Sequence, residues 1–120
     1  MKAKKAAAAA SDKKAKDITI LKLRDVSVIC DYFVICSGGS TTQVNAISEH
    51  VEKVLREKGC SPIGFEGKSN AHWVLIDYGD VIVHVFEEDT RQYYELERLW
   101  LDAPRIDFKD EGKNTMDRKD

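Results

Sequence analysis

No apolar run in the chain approaches the roughly 18 residues that a membrane span requires, and the short alanine run after the first lysines is not the apolar core of a secretory leader. Residues 1–16 are lysine and alanine with little else. They hold no arginine and include Asp12, which sets them apart from a mitochondrial transit peptide. A strong net charge is also missing. The 19 Lys and Arg nearly balance the 21 Asp and Glu, leaving −2, which excludes a protein that coats nucleic acid by bulk electrostatics. Little direct nucleic-acid contact is expected. There are three cysteines and no Cys-x-x-Cys or Cys-x-x-His spacing. An odd count without a leader reads as reduced thiols in a cytoplasmic protein. None of His50, His72 and His84 stands three or four residues from another histidine or a cysteine, so neither metal nor cofactor is expected.

What remains is a chain of 120 residues, 42% hydrophobic and 33% charged. That is room for one domain with one core. Alanine is the best helix former, so residues 1–16 are expected as a helix or a flexible arm. Residues 17–104 form the domain, and residues 105–120, which mix charges without apolar periodicity, form a disordered tail. Residues 18–23 alternate well enough for a half-buried strand, and Tyr32-Phe33-Val34-Ile35-Cys36 fits a central strand buried on both faces. Cys30 and Cys36 lie in the stretch from Val26 to Cys36, apolar except for Ser27 and Asp31, and are expected to be buried thiols.

After the turn Ser37-Gly38-Gly39-Ser40 comes a helix with capping-box spacing. Ser40 can take an orphan N–H while Gln43 reaches back, and Val44, Ile47, Val51, Val54 and Leu55 fall on one face. Glu49 and Glu52 each precede a base by four residues, Lys53 and Arg56 respectively. Gly59 ends the helix. Pro62, Gly64 and Gly67 limit residues 61–67 to a short edge strand or a loop. Two β-prone runs, residues 72–78 and 81–86, flank Gly79-Asp80 and predict a hairpin. Asp89 can cap a last helix carrying Tyr93, Leu96 and Trp100, with Leu99 beside them and Pro104 beyond. The order predicts an α/β (α+β) domain with a mixed sheet of four or five strands and packed helices.

Gly38-Gly39-Ser40, between a buried strand and a capped helix, could offer N–H groups to a phosphate and looks like the turn that opens nucleotidyltransferase folds. That chemistry needs two carboxylates on one strand holding Mg²⁺. Here the next acids are Glu49 and Glu52 on the helix, while Asp77 and Asp80 straddle a turn. The lysine of a phosphate-binding loop is missing too. A nucleotide-binding or nucleotidyl-transferring enzyme is therefore the rival reading, and a helix-capping turn the favoured one. Trp73 alternates with Leu75 and Asp77, and His84 shares a face with Ile82 and Phe86. An aromatic residue with acids on one hairpin suits a core or a partner-facing sheet equally.

Several longer strings occur in order. They are Asp31-Tyr32-Phe33-Val34-Ile35-Cys36-Ser37-Gly38-Gly39-Ser40, Gln43-Val44-Asn45-Ala46-Ile47, Glu66-Gly67, Trp73-Val74-Leu75-Ile76-Asp77-Tyr78-Gly79-Asp80, Val83-His84-Val85-Phe86 and Tyr94-Glu95-Leu96-Glu97-Arg98-Leu99-Trp100. Together they resemble the ribosomal silencing factors, also called the Iojap family, from about residue 12 to residue 103. The resemblance implies a nucleotidyltransferase-like fold without catalytic carboxylates. It implies no enzyme activity but repression of translation: binding of the fourteenth protein of the large ribosomal subunit, which blocks joining of the small subunit. A homodimer in isolation is a further implication. Carried over by position, the partner-binding residues are Trp73, Asp77, Asp80, His84, Phe86 and Tyr94. Lys22 stands where many members carry an acid.

Overall fold

The structure, a computed structural model, describes residues 1–106. Helix α1 (Lys2–Asp12) is followed by strands β1 (Lys16–Lys22) and β2 (Tyr32–Gly38), helix α2 (Thr41–Glu57), and strands β3 (Gly64–Glu66), β4 (Trp73–Asp77) and β5 (Val81–Glu87). Helix α3 (Glu88–Tyr94), a 3₁₀ turn (Leu96–Trp100) and strand β6 (Arg105–Ile106) complete the chain. Residues 107–120, most of the tail expected to be disordered, lie outside the described residues. Among the described residues, no helix is long and apolar enough to cross a membrane.

The six strands form one mixed sheet in the order β3-β4-β5-β2-β1-β6. Only β2 and β5 run parallel, and the other neighbours are antiparallel. The sheet thus has more strands than the four or five expected. The addition at its edge is β6, two residues long, which pairs Ile106 with Ile20 and Arg105 with Leu21. A strand that short has no periodicity to read.

Strand alternation divides the apolar residues between two faces. Ile20, Val34, Cys36, Val74, Ile76, Val83 and Val85 pack under α1 and α2. Each helix brings an apolar stripe. In α2 the stripe is Val44, Ile47, Val51 and Leu55. In α1 it is Ala3, Ala6, Ala7 and Ala10, at helical spacing and buried, and their short side chains let α1 lie close to the sheet and to α2. Helix α2 starts as its sequence predicts. The Ser40 hydroxyl accepts the Gln43 N–H at 3.2 Å, while Gln43 Oε1 reaches one residue further back than expected and accepts the Gly39 N–H at 2.7 Å. Glu52 pairs with Arg56. Lys53 lies 3.7 Å from Glu57, not beside Glu49.

The opposite face carries Leu21, Phe33, Ile35 and Phe86, with Trp73, Ile82, Leu96 and Trp100 against them. The expected final helix is divided here. Glu87, not Asp89, holds the position before α3, and Asp89 lies in the first turn. Glu95 then adopts a left-handed conformation, φ 50°, and the chain resumes as the 3₁₀ turn. The break redirects the backbone so that Leu96 and Trp100 reach the sheet, while Tyr93 remains 80% exposed. Arg91 fixes the new direction. Its guanidinium donates to Glu97 Oε2 at 3.2 and 2.6 Å, to the Asp17 carbonyl at 2.7 Å and to Ser37 Oγ at 2.8 Å.

Candidate interaction surface

The hairpin forms where Gly79 marks it. Gly79 has φ +87°, and its N–H donates to Asp77 Oδ1 at 2.8 Å. The resulting register pairs Trp73 with Phe86, Leu75 with His84 and Asp77 with Ile82. All six share the face opposite α1 and α2. The C-terminal segment covers only part of that face, and Trp73, Leu75, Asp77 and Ile82 are half-buried.

Four of the six residues expected to bind a partner come together. Trp73 stacks on Phe86 with centroids 4.7 Å apart and planes at 27°, and Tyr94 lies 5.1 Å from it on a tilt of 47°. The Trp73 indole N–H donates to His84 Nδ1 at 3.1 Å. His84 in turn meets Phe33 edge-on at 4.5 Å. Depth separates these four. Trp73 and Tyr94 reach the surface, whereas His84 is 3% exposed and Phe86 fully buried beneath the tryptophan. Burial pushes the His84 pKa down to about 4, so near neutral pH the ring is uncharged.

The two acids stand at the other end of the hairpin. Asp77 caps the turn through Gly79. Asp80 is exposed but already engaged, because Lys2 Nζ lies 2.8 Å from its carboxylate. Neither acid meets the aromatic group. Residue alternation already pointed to Leu75 and Ile82 as members of this face. It gave no sign of the cavity of about 630 Å³ beside Trp73, lined by His72, Asp89, Tyr93 and Tyr94 among others.

The Gly38-Gly39-Ser40 turn satisfies its own helix. Gly39 N–H goes to Gln43, Gln43 N–H to Ser40, and Val44 N–H to the Ser40 carbonyl at 2.9 Å. Nearby, the bonds of Arg91 occupy Ser37. Among the described residues, no group of three His, Cys, Asp or Glu side chains is placed to hold a metal ion. Cys30 and Cys36 are buried free thiols, as expected, and burial raises their pKa values to about 11 and about 12.

The chain matches the family described as ribosomal silencing factor during starvation over residues 1–120. It is 49% identical to the ribosomal silencing factor RsfS of Bacillus subtilis, covering 91% of this chain and 92% of that protein. Mouse mitochondrial assembly of ribosomal large subunit protein 1 is 34% identical, over 72% of this chain but 39% of its own length. A crystal structure from Bacillus halodurans superposes with a TM-score of 0.76 at 45% identity, covering 86% of this chain and 93% of that one.

Proposed function

Because the chain belongs to the ribosomal silencing factor family, we propose that it represses translation by docking the open part of its sheet on the large ribosomal subunit, where it blocks joining of the small subunit. The observation that carries this reading is the asymmetry of the sheet. One face lies under two helices, while the other leaves Trp73, Leu75 and Ile82 half-buried next to Tyr94. A contiguous apolar area with an aromatic anchor and a polar rim has the composition of a protein interface. The proposed partner is the fourteenth protein of the large subunit, and the mouse relative's name also points to the large subunit. His84 and Phe86 act from behind, holding the tryptophan. Asp77 is the acid left to meet a basic partner, since Lys2 already neutralises Asp80. The action is steric, takes place in the cytoplasm, and requires no cofactor or turnover. In isolation the chain pairs with a second copy.

Sedimentation with separated subunits tests the proposal. The protein should travel with large subunits and not with small ones, and should slow their association. Leu75→Glu, which puts a charge on the open face, should reduce binding at least about tenfold, as expected when a charge meets an apolar contact, while the circular dichroism spectrum stays native. Equal sedimentation with both subunits, or full binding by a folded Leu75→Glu variant, would remove the open face from the mechanism.

A further inference from the structure

The cavity beside Trp73 differs from the other large one. The cavity of about 610 Å³ near Ser37 is lined by three arginines, Arg91 paired with Glu97, Arg98 paired with Glu95, and Arg105. In the cavity beside Trp73 the lining residues include the Asp89 carboxylate and no lysine or arginine. Glu87 lies behind its wall and is already engaged by His72 at 2.6 Å, which leaves Asp89 as the acid of the cavity. Its aromatic walls are Trp73, Tyr93 and Tyr94. Tyr93 and Tyr94 stand 5.0 Å apart with planes at 89°, forming a corner, and Tyr94 leans over Trp73 at 5.1 Å. Aromatic faces at right angles with a carboxylate nearby make a cation receptor, because the ring quadrupoles and the acid attract the same charge. Tyr93, 80% exposed, contributes little to the core of this chain.

We infer that this cavity receives a lysine or arginine side chain of the protein on which the open face docks. The inference rests on the docking proposed above, and it adds the chemistry of one contact: the ammonium or guanidinium lies against Tyr93 and Tyr94 and pairs with Asp89, next to the Trp73 anchor. The cavity is roomy enough to admit a long side chain, and Trp73 lines both it and the docking face.

Two measurements test it separately. In the first, the indole N–H signal of Trp73 is followed by NMR while Nα-acetyl-arginine amide, Nα-acetyl-lysine amide or the neutral isostere Nα-acetyl-citrulline amide is added. Saturable shifts with a cationic probe, absent with citrulline and weakened about fivefold or more in Asp89→Asn, are the expected result. Shifts equal for all three probes, or no saturable shift up to their solubility limit, overturn the inference. In the second, wild type, Asp89→Asn and Tyr93→Leu are sedimented with large subunits across a salt series. Both positions are exposed, and melting curves confirm that the variants fold. Weaker binding with a shallower salt dependence for Asp89→Asn supports the inference, while unchanged binding by both variants overturns it. If the wild type fails to sediment, the docking proposal falls, and the probe titration alone decides whether the cavity takes a cation.

Discussion

The Trp73 indole N–H donates to His84 Nδ1 at 3.1 Å, so the imidazole must carry its own proton on Nε2. That nitrogen is buried and has no partner among the described residues. Trp73 and the buried histidine are therefore one unit, so the tryptophan proposed above as the docking anchor also supports the fold. A purely partner-facing tryptophan could be truncated with little change in melting. This one cannot. Trp73→Ala should cost about 3 kcal/mol, toward the low end for a core tryptophan, because it uncovers Phe86 and orphans His84 Nδ1. Trp73→Phe keeps the stack and loses only the hydrogen bond, so its cost should be about 1–2 kcal/mol. Denaturant unfolding of the two variants gives the comparison. Equal, negligible losses would place Trp73 outside the fold's support.

The same histidine sets an acid limit. Its folded pKa is about 4, against an ordinary value of 6.5, because burial disfavours the imidazolium. The folded value is the lower one, so the unfolded chain binds the extra proton first. The contribution of His84 to stability is thus complete above pH 6.5 and declines as pH falls toward 4, by about 1.4 kcal/mol per pH unit and about 3 kcal/mol in all. His84→Gln, which keeps an acceptor for Trp73, should flatten the dependence of unfolding free energy on pH in that window. An unchanged slope in the variant would assign the acid sensitivity to other groups.

Two glycines with similar backbones should respond very differently to alanine. Gly59 and Gly67 have φ of +88° and +85°. A Cβ at Gly59 meets nothing within 4 Å, but one at Gly67 would stand 1.9 Å from the Trp73 carbonyl oxygen. Gly59→Ala should cost about 1 kcal/mol, the left-handed penalty alone. Gly67→Ala should cost about 3 kcal/mol or more, since the β3–β4 connection must also move. Thermal melting of the two variants distinguishes backbone preference from collision.

The thiols should label in the order of their burial. Cys60 is half-buried, while Cys30 and Cys36 are buried and their pKa values are raised to about 11 and about 12. Thiolate is the reacting species. Time-resolved mass spectrometry with a thiol reagent should show Cys60 modified first and Cys36 only on unfolding. Rapid labelling of Cys36 in the folded protein would contradict its place in the central strand.

What the sequence made legible is local. Ser40 and Gln43 announce their helix because a capping box is completed within four residues, and Gly79 announces the hairpin because its turn needs a positive φ. The hidden features join distant residues. Lys2 meets Asp80 from 78 positions away, a pairing within the chain that no local pattern announces. The spacing of Tyr93, Leu96 and Trp100 predicts one continuous last helix, whereas the break at Glu95 comes with bonds from Arg91 to Asp17 and Ser37, residues far away in the chain. Of the candidate site, the face was legible from alternation. The depth of His84 and Phe86 was not, because only the tertiary position of Trp73 and the C-terminal segment sets it.

Arg91 offers the sharpest test of that break. Its side chain is 11% exposed and Glu97 is 21% exposed. Burial alone would raise the Glu97 carboxyl, but the hydrogen bonds and charge of Arg91 outweigh it and hold the pKa below the ordinary value of 4.5. Arg91→Ala removes that compensation and leaves Glu97, Ser37 and the Asp17 carbonyl without their shared donor. The expected loss is about 3 kcal/mol, the lower part of the range for breaking a largely buried ion pair. Much of this loss is the penalty of an unpaired carboxylate, so Arg91→Ala in a Glu97→Gln background should cost clearly less than in wild type. If Arg91 holds the 3₁₀ turn on the sheet, releasing it also exposes Trp100, whose ring lies 6.0 Å from Phe33, and the emission of that tryptophan should move to longer wavelength before global unfolding. Equal losses in both backgrounds, with Trp100 emission unchanged, would mean that apolar packing alone holds the C-terminal segment.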